Sequence, residues 1–172
     1  IGKIQGNIVD LLYAPLSAAE ITISISLAAV TRSFMIAIVS ILTFYLIIDI
    51  EIKHYLMLIL FTFLSSFILG NIGIIAGLWA EKFDHMATVT NFIIIPLSFL
   101  SGTFYTIDRL PKFLQNISEA NPFFYMIDGF RYSFIGVADG SITVGIVYLS
   151  FLSFFSWLVT YILFKKGYKI RS

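Results

Sequence analysis

The residues able to carry chemistry are few and scattered. Glu81, Asp84 and His85 stand at i, i+3 and i+4, which would set two carboxylates and an imidazole on one helical face. Such a trio can hold a metal ion, but two acids and one His in a polar turn are more often solvated charge, and no metal is expected. His54 stands apart from them. No Ser-His-Asp order and no His cluster suggests catalysis, and the phosphate loop GxxxxGK[ST] is absent, so the chain does not bind ATP by that route. The chain has no Cys, which removes disulfides, thiolate metal sites and a Cys nucleophile. Two charged features remain. Asp128 and Arg131, three apart, can pair on one helix face, either as a local ion pair or as a charge pair that holds a gate or meets an anionic headgroup. Arg32 lies inside an apolar run, Val30-Thr31-Arg32-Ser33-Phe34. An Arg there must face protein, face a water-filled path, or reach a headgroup by snorkelling.

The elements that position these groups follow from composition. Of 172 residues, 59% are hydrophobic and 12% charged, with mean hydropathy +0.95. A soluble domain of this length cannot hide so much apolar surface, so the chain is expected to be an all-α integral membrane protein. Four segments are expected to span: about Ile21 to Ile48, Tyr55 to Leu78, Ala87 to Leu100 (with Phe104 as a limit), and Ile142 to Phe164. The third is short. Net charge is +1 with no clustered basic face, so no nucleic-acid partner is expected.

The connections carry information too. Asp49 to His54 and Trp79 to His85 are polar turns. Between the third and fourth spans lie about forty residues that are neither a span nor a flexible linker. Pro111 and Pro122 each suit a helix start, which predicts two short helices joined at Asn121-Pro122, the second ended by Gly136 and Gly140. The tail Lys165-Lys166-Gly167-Tyr168-Lys169-Ile170-Arg171 holds four basic residues and no acid, which puts both ends of the chain in the cytoplasm and the forty-residue region outside. Lys53, Arg109, Lys112 and Arg131 fall on the outer side and weaken that signal.

At the other end, Ile4 to Glu20 reads IQGNIVDLLYAPLSAAE. Ile8, Leu11 and Leu12 mark one face of a short helix, Asn7 suits its cap, Pro15 stops it, and Ser17 with Glu20 forms a capping box for the next helix. Such a helix either rests on lipid or docks a soluble partner. The chain opens on Ile1, and further residues are expected ahead of it.

GNIVDLLYAPLS resembles the coupling-helix region of permease subunits in the type-2 class of ATP-binding-cassette exporters. The longer stretch NFIIIPLSFLSGTFYTIDRLPKFLQNISEANPFFYMIDGFRYSFIG, Asn91 to Gly136, resembles that family's signature more specifically. It shows a proline-broken span, Phe-Leu-Ser-Gly, Leu-Pro, a helix, Asn-Pro, and an Asp three residues before an Arg. The resemblance implies that 1–172 is one transmembrane permease domain with four of six spans, lacking the N-terminal amphipathic helix and first two spans. It implies that two short external helices re-enter the membrane before the last span. The other reading of that region is a loop lying flat on the membrane.

The resemblance also implies roles. Gly6, Asn7, Ile8, Val9, Asp10, Leu11, Leu12, Tyr13, Ala14 and Pro15 would couple to a separate ATPase subunit, which would hold the ATP and Mg; no cofactor is expected on this chain. Pro96, Leu100, Ser101, Gly102, Phe104, Tyr105, Leu110, Pro111, Asn121, Pro122, Asp128 and Arg131 would form an external gate. Arg32 would meet a substrate headgroup. A second permease copy or close relative would complete a dimer, moving a lipid-linked glycan, lipid or drug. The rival readings are an ATP-independent secondary transporter or channel, which needs intramembrane acids, and a membrane-embedded transferase, which needs an interfacial catalytic cluster. The spans contain almost no acids, with Glu20, Asp49 and Glu51 at their ends, and Asp128 with Tyr125 and Arg131 is too thin for a catalytic cluster.

Overall fold

The computed structural model describes residues 16–48, 51–103 and 110–168, with the side chain of Phe83 outside the description. The coupling stretch Gly6 to Pro15, the gate residues Phe104 and Tyr105, and Lys169 to Arg171 of the tail therefore lie outside the described residues. Among the described residues seven α-helices follow in order: α1 (Ala18–Ile47), α2 (Tyr55–Trp79), α3 (Phe83–Val89), α4 (Ile95–Phe99), α5 (Lys112–Ala120), α6 (Pro122–Ile135) and α7 (Ile142–Lys165), with a π-helical turn Thr90–Ile94 joining α3 to α4. Among the described residues all regular structure is helical.

Among the described residues, three helices are long and apolar enough to cross a membrane: α1 with 30 residues, α2 with 25 and α7 with 24. The expected third span is helical from Phe83 to Phe99, but in pieces of seven, five and five residues. Pro96 explains the break. Its ring has no N–H and crowds the carbonyl four residues back, at Phe92. The backbone widens one turn earlier, where the N–H of Ile95 bonds to Thr90 O instead of the carbonyl four back.

The start of α1 is set by a reciprocal cap. Ser17 N–H donates to Glu20 Oε2 at 2.7 Å, and Glu20 N–H donates to Ser17 Oγ at 3.3 Å. The capping box read from the sequence is present.

α2 is the centre of the bundle and packs on α1, α6 and α7. Phe61, Leu64 and Ile68 of α2, Phe123 and Met126 of α6, and Leu149 of α7 form the buried core. α1 joins it only through its first half, where Ile21, Thr22, Ser26 and Val30 are buried. Beyond that, an apolar cleft of about 470 Å³ separates the last turns of α1 (Ile41, Phe44) from Phe130 and Phe134 of α6.

Lipid is as apolar as these side chains, so helix contacts depend on close approach and polar pairing. Gly70 supplies the first: a Cβ there would lie 2.9 Å from Ala29 Cβ. Gly73 and Gly77, the GxxxG pair, face no neighbour within 4 Å of their missing Cβ atoms. The second is Asn71, fully buried, whose Oδ1 accepts from Ser26 Oγ at 3.2 Å while its Nδ2 donates to Phe67 O at 2.8 Å. Several other buried hydroxyls bond within their own helix, as Thr62 does to Leu58 O and Thr160 to Ser156 O, whereas the buried Oγ atoms of Ser65, Ser118 and Ser153 have no hydrogen-bond partner among the described residues. Asn71→Leu removes the only side-chain bond between α1 and α2 among the described residues. It is expected to lower stability by about 0.6–1.7 kcal/mol, read by denaturant titration of the permease in micelles.

Candidate functional site

The described gate residues lie on α4 and the turn after it, at the starts of α5 and α6, and along α6, which packs on α2 and α7. The chain leaves α4 through Leu100 and turns at Ser101 and Gly102. Gly102 adopts φ 76°, a backbone that favours glycine. Ser101 is buried; its Oγ donates to Ser98 O and shares a 2.9 Å hydroxyl contact with Thr103. The abrupt stop of this apolar segment is therefore a capped helix end.

Two side chains from later in the chain pin that end. Asn121, buried between α5 and α6, starts α6 by accepting from Phe123 N–H at 3.0 Å on its Oδ1. Its Nδ2 donates to Leu97 O at 2.6 Å, satisfying a carbonyl in the last turn of α4. Arg131 Nη2 donates to Gly102 O at 2.7 Å. Pro111 precedes α5 and Pro122 opens α6, as the sequence indicates. Gln115 Nε2 reaches back to Leu110 O at 2.8 Å.

α6 is packed into the bundle. Phe123, Phe124, Met126, Asp128, Gly129 and Ser133 are all buried. Gly129 makes that possible: a Cβ there would lie 2.2 Å from Phe61 Cδ1, inside the ring's own volume. The far end of α6 is also fastened. Lys53 and His54 N–H groups both donate to Ser133 O at 3.0 Å, Lys53 Nζ donates to Ile135 O at 2.8 Å, and His54 stacks on Tyr132 at 4.6 Å. A cation at a helix C-terminus is favoured by the exposed carbonyls and their dipole. Gly136 closes the helix at φ 75°.

The charged knot is larger than the pair read from the sequence. Asp128 and Arg131 approach at 3.6 Å, but the tighter partner of Arg131 is Asp139, whose Oδ2 accepts from Nη1. The Asp128 carboxylate, nearly fully buried, accepts from the N–H of Asp139 at 2.7 Å and of Gly140 at 2.9 Å. Asp128 thus holds the turn into α7, and Arg131 joins that turn to the end of α4. Apart from the Asp128–Arg131 approach within α6, the carboxylate and guanidinium contacts here fasten one segment to another. The arrangement is a mechanical coupling rather than a reaction centre. Sequence reasoning missed Asp139; the Gly140 that follows it was the available sign of a tight turn.

At the opposite end, His85 does not stand ready as a ligand. Its Nδ1 accepts from Glu81 N–H at 3.3 Å and its ring lies 5.2 Å from Trp79. Arg32 is exposed near the middle of α1, with no ion-pair partner among the described residues.

Among the described residues, three apolar helices of spanning length packed about α2, with a broken helix pinned to them through α6, define a multi-pass helical membrane protein. Residues 3–135 match the ABC-2 type transporter family, and the chain belongs to that family. It is 30% identical over 172 residues to the inner membrane transport permease YadH of Escherichia coli K12, covering 99% of this chain and 66% of that protein. The same figures hold for the proteins of that name in Escherichia coli O157:H7 and Shigella flexneri. The chain thus spans just under two thirds of the length of these relatives. No solved structure matches it.

Proposed function

We propose that the chain is the membrane-spanning part of an inner-membrane permease that exports an amphipathic substrate, driven by ATP hydrolysed on a separate ATPase subunit. Family membership over residues 3–135 is the observation that carries this reading. The alternative of an ion-coupled transporter needs acids within the spans, and the segments Tyr55–Trp79 and Ile142–Lys165 contain none.

The mechanism follows from how the helices are fastened. Gly6 to Pro15 would dock on the ATPase, with the Glu81–His85 turn as a second contact. The docking segment runs within two residues of the capping box that starts α1. A push on it is delivered to a capped helix whose first half is packed on α2. α2 in turn carries α6, and α6 is tied to α4 and α7. Closure of the ATPases on nucleotide would bias this body between two arrangements. The broken third segment acts as a fourth span, with α5 and α6 re-entering from outside as the outer gate. Two permeases would enclose the substrate path, and Arg32 would meet an anionic headgroup at the inner leaflet.

Because the chain has no Cys, single-cysteine labelling tests the topology without background. Ile8→Cys is expected to react only from the cytoplasmic side and Phe113→Cys only from outside; labelling from one common side overturns the reading. Asp10→Lys is expected to reduce ATP-driven transport at least tenfold with the permease still folded, a loss of about 1.4 kcal/mol or more of coupling. Unchanged transport would remove the docking assignment.

A further inference from the structure

We propose that the start of α7 is a seat for a membrane lipid whose headgroup bears an ammonium group. Two cavities meet there. A polar cleft of about 240 Å³ lies at the helix start, bounded by Glu119 of α5, Phe124 and Tyr125 of α6, and Asp139 and Ser141 ahead of α7. An apolar groove of about 490 Å³ runs from it along α7 over Val144, Val147 and Phe151. Val144 belongs to both. The three groove residues lie at i, i+3 and i+7, one stripe along the helix, and are 52%, 65% and 67% exposed. A polar cleft at the end of a spanning helix, opening onto an apolar stripe that descends it, has the shape of a headgroup with one acyl chain.

The charge of the cleft selects the headgroup. Two carboxylates, Glu119 and Asp139, line the cleft, and a third, Asp128, holds the backbone of Asp139 and Gly140 at its edge. The one guanidinium nearby, Arg131, is already engaged by Asp139 and Gly102 O. Glu119 is exposed, with no ion-pair partner among the described residues. Tyr125 packs against Phe124 at 5.0 Å and Tyr148 at 5.3 Å, in tilted pairs that form an aromatic wall. Tyr148 hydroxyl donates to Ala120 O at 2.9 Å, which fixes that ring at the seam between cleft and groove. Burial first, then the Glu119 carboxylate, pushes the Tyr125 hydroxyl above the usual phenol range, so the ring stays a neutral phenol beside that carboxylate. Ring faces and carboxylates together attract an ammonium group and repel an anionic headgroup. The inference rests on α7 crossing the bilayer, and not on the direction or energy source of transport.

The test uses full-length permease in nanodiscs holding equal phosphatidylethanolamine and phosphatidylglycerol, with retained lipid counted by native mass spectrometry. Wild type is expected to retain phosphatidylethanolamine about fivefold over phosphatidylglycerol. Glu119→Gln is expected to bring the ratio near parity, and Val147→Trp, which fills the groove, to reduce retention of both lipids. Free ethanolamine is expected to leave the bound lipid in place, because it lacks the chain. Equal retention by wild type, an unchanged ratio in Glu119→Gln, or full displacement by free ethanolamine overturns the lipid seat. Failure of the cysteine topology would instead show in the labelling, with the lipid ratio as its own separate readout.

Discussion

Arg131→Ala is expected to destabilise the permease by about 3 kcal/mol, near the lower end for breaking a buried ion pair because the guanidinium is 22% exposed. The reason is what remains. Asp128 and Asp139 would face each other with no cation between them, and Gly102 O would lose its donor. Asp128 keeps its two backbone N–H bonds, which limits the loss. Arg131→Lys keeps the charge but cannot present two separate nitrogens to Asp139 and Gly102, so an intermediate loss is expected. Denaturant titration in micelles reads both. If Arg131→Ala unfolds at the wild-type midpoint, the knot is ornamental and the tie between α4, α6 and α7 lies elsewhere.

The second large effect belongs to Gly129. Gly129→Ala places a methyl 2.2 Å from the Phe61 ring, which is itself fully buried. Ring or helix must move, at about 1–3 kcal/mol. Phe61→Ala alone leaves a cavity in the core and is expected to cost about 3–5 kcal/mol. The double variant is the discriminating measurement. The added methyl fills part of the space the ring vacated, so the combined loss is expected to fall short of the sum by about 0.5–3 kcal/mol. Strict additivity would mean that α6 does not press on α2 at this point, and the re-entrant reading of the hairpin would lose its support.

These two predictions draw on different amounts of sequence information. The helix limits were legible, because they are set by local chemistry: Ser17 and Glu20 cap α1, Asn121-Pro122 marks the joint between α5 and α6, and Gly136 closes α6. The pinning bonds were not. Arg131 finds Asp139 across a turn of eight residues, Asn121 reaches Leu97 over 24, and Lys53 reaches Ile135 over 82. No periodicity encodes a contact between segments that meet only after folding. Gly73 and Gly77 have GxxxG spacing, yet of the stripe Gly70, Gly73 and Gly77 only Gly70 approaches a neighbour among the described residues. Small residues permit a close contact without specifying which stripe will use it. Gly129 shows the converse: a lone glycine in a helix, without a motif around it, is the one the packing requires.

The widened turn at Thr90–Ile94 has a geometric consequence for the segment that carries it. A turn holding one surplus residue rotates everything after it by roughly 100° relative to a uniform helix. Residues of α4 therefore face a different direction from the one that counting forward from α3 would assign, which is why no single apolar stripe runs through this piece of chain. The two halves have independent azimuths, joined by a collar whose carbonyls are not locked into the regular ladder. One half runs from the turn at His85 and the other into the anchored elbow at Gly102, and the collar is the one irregular turn between them.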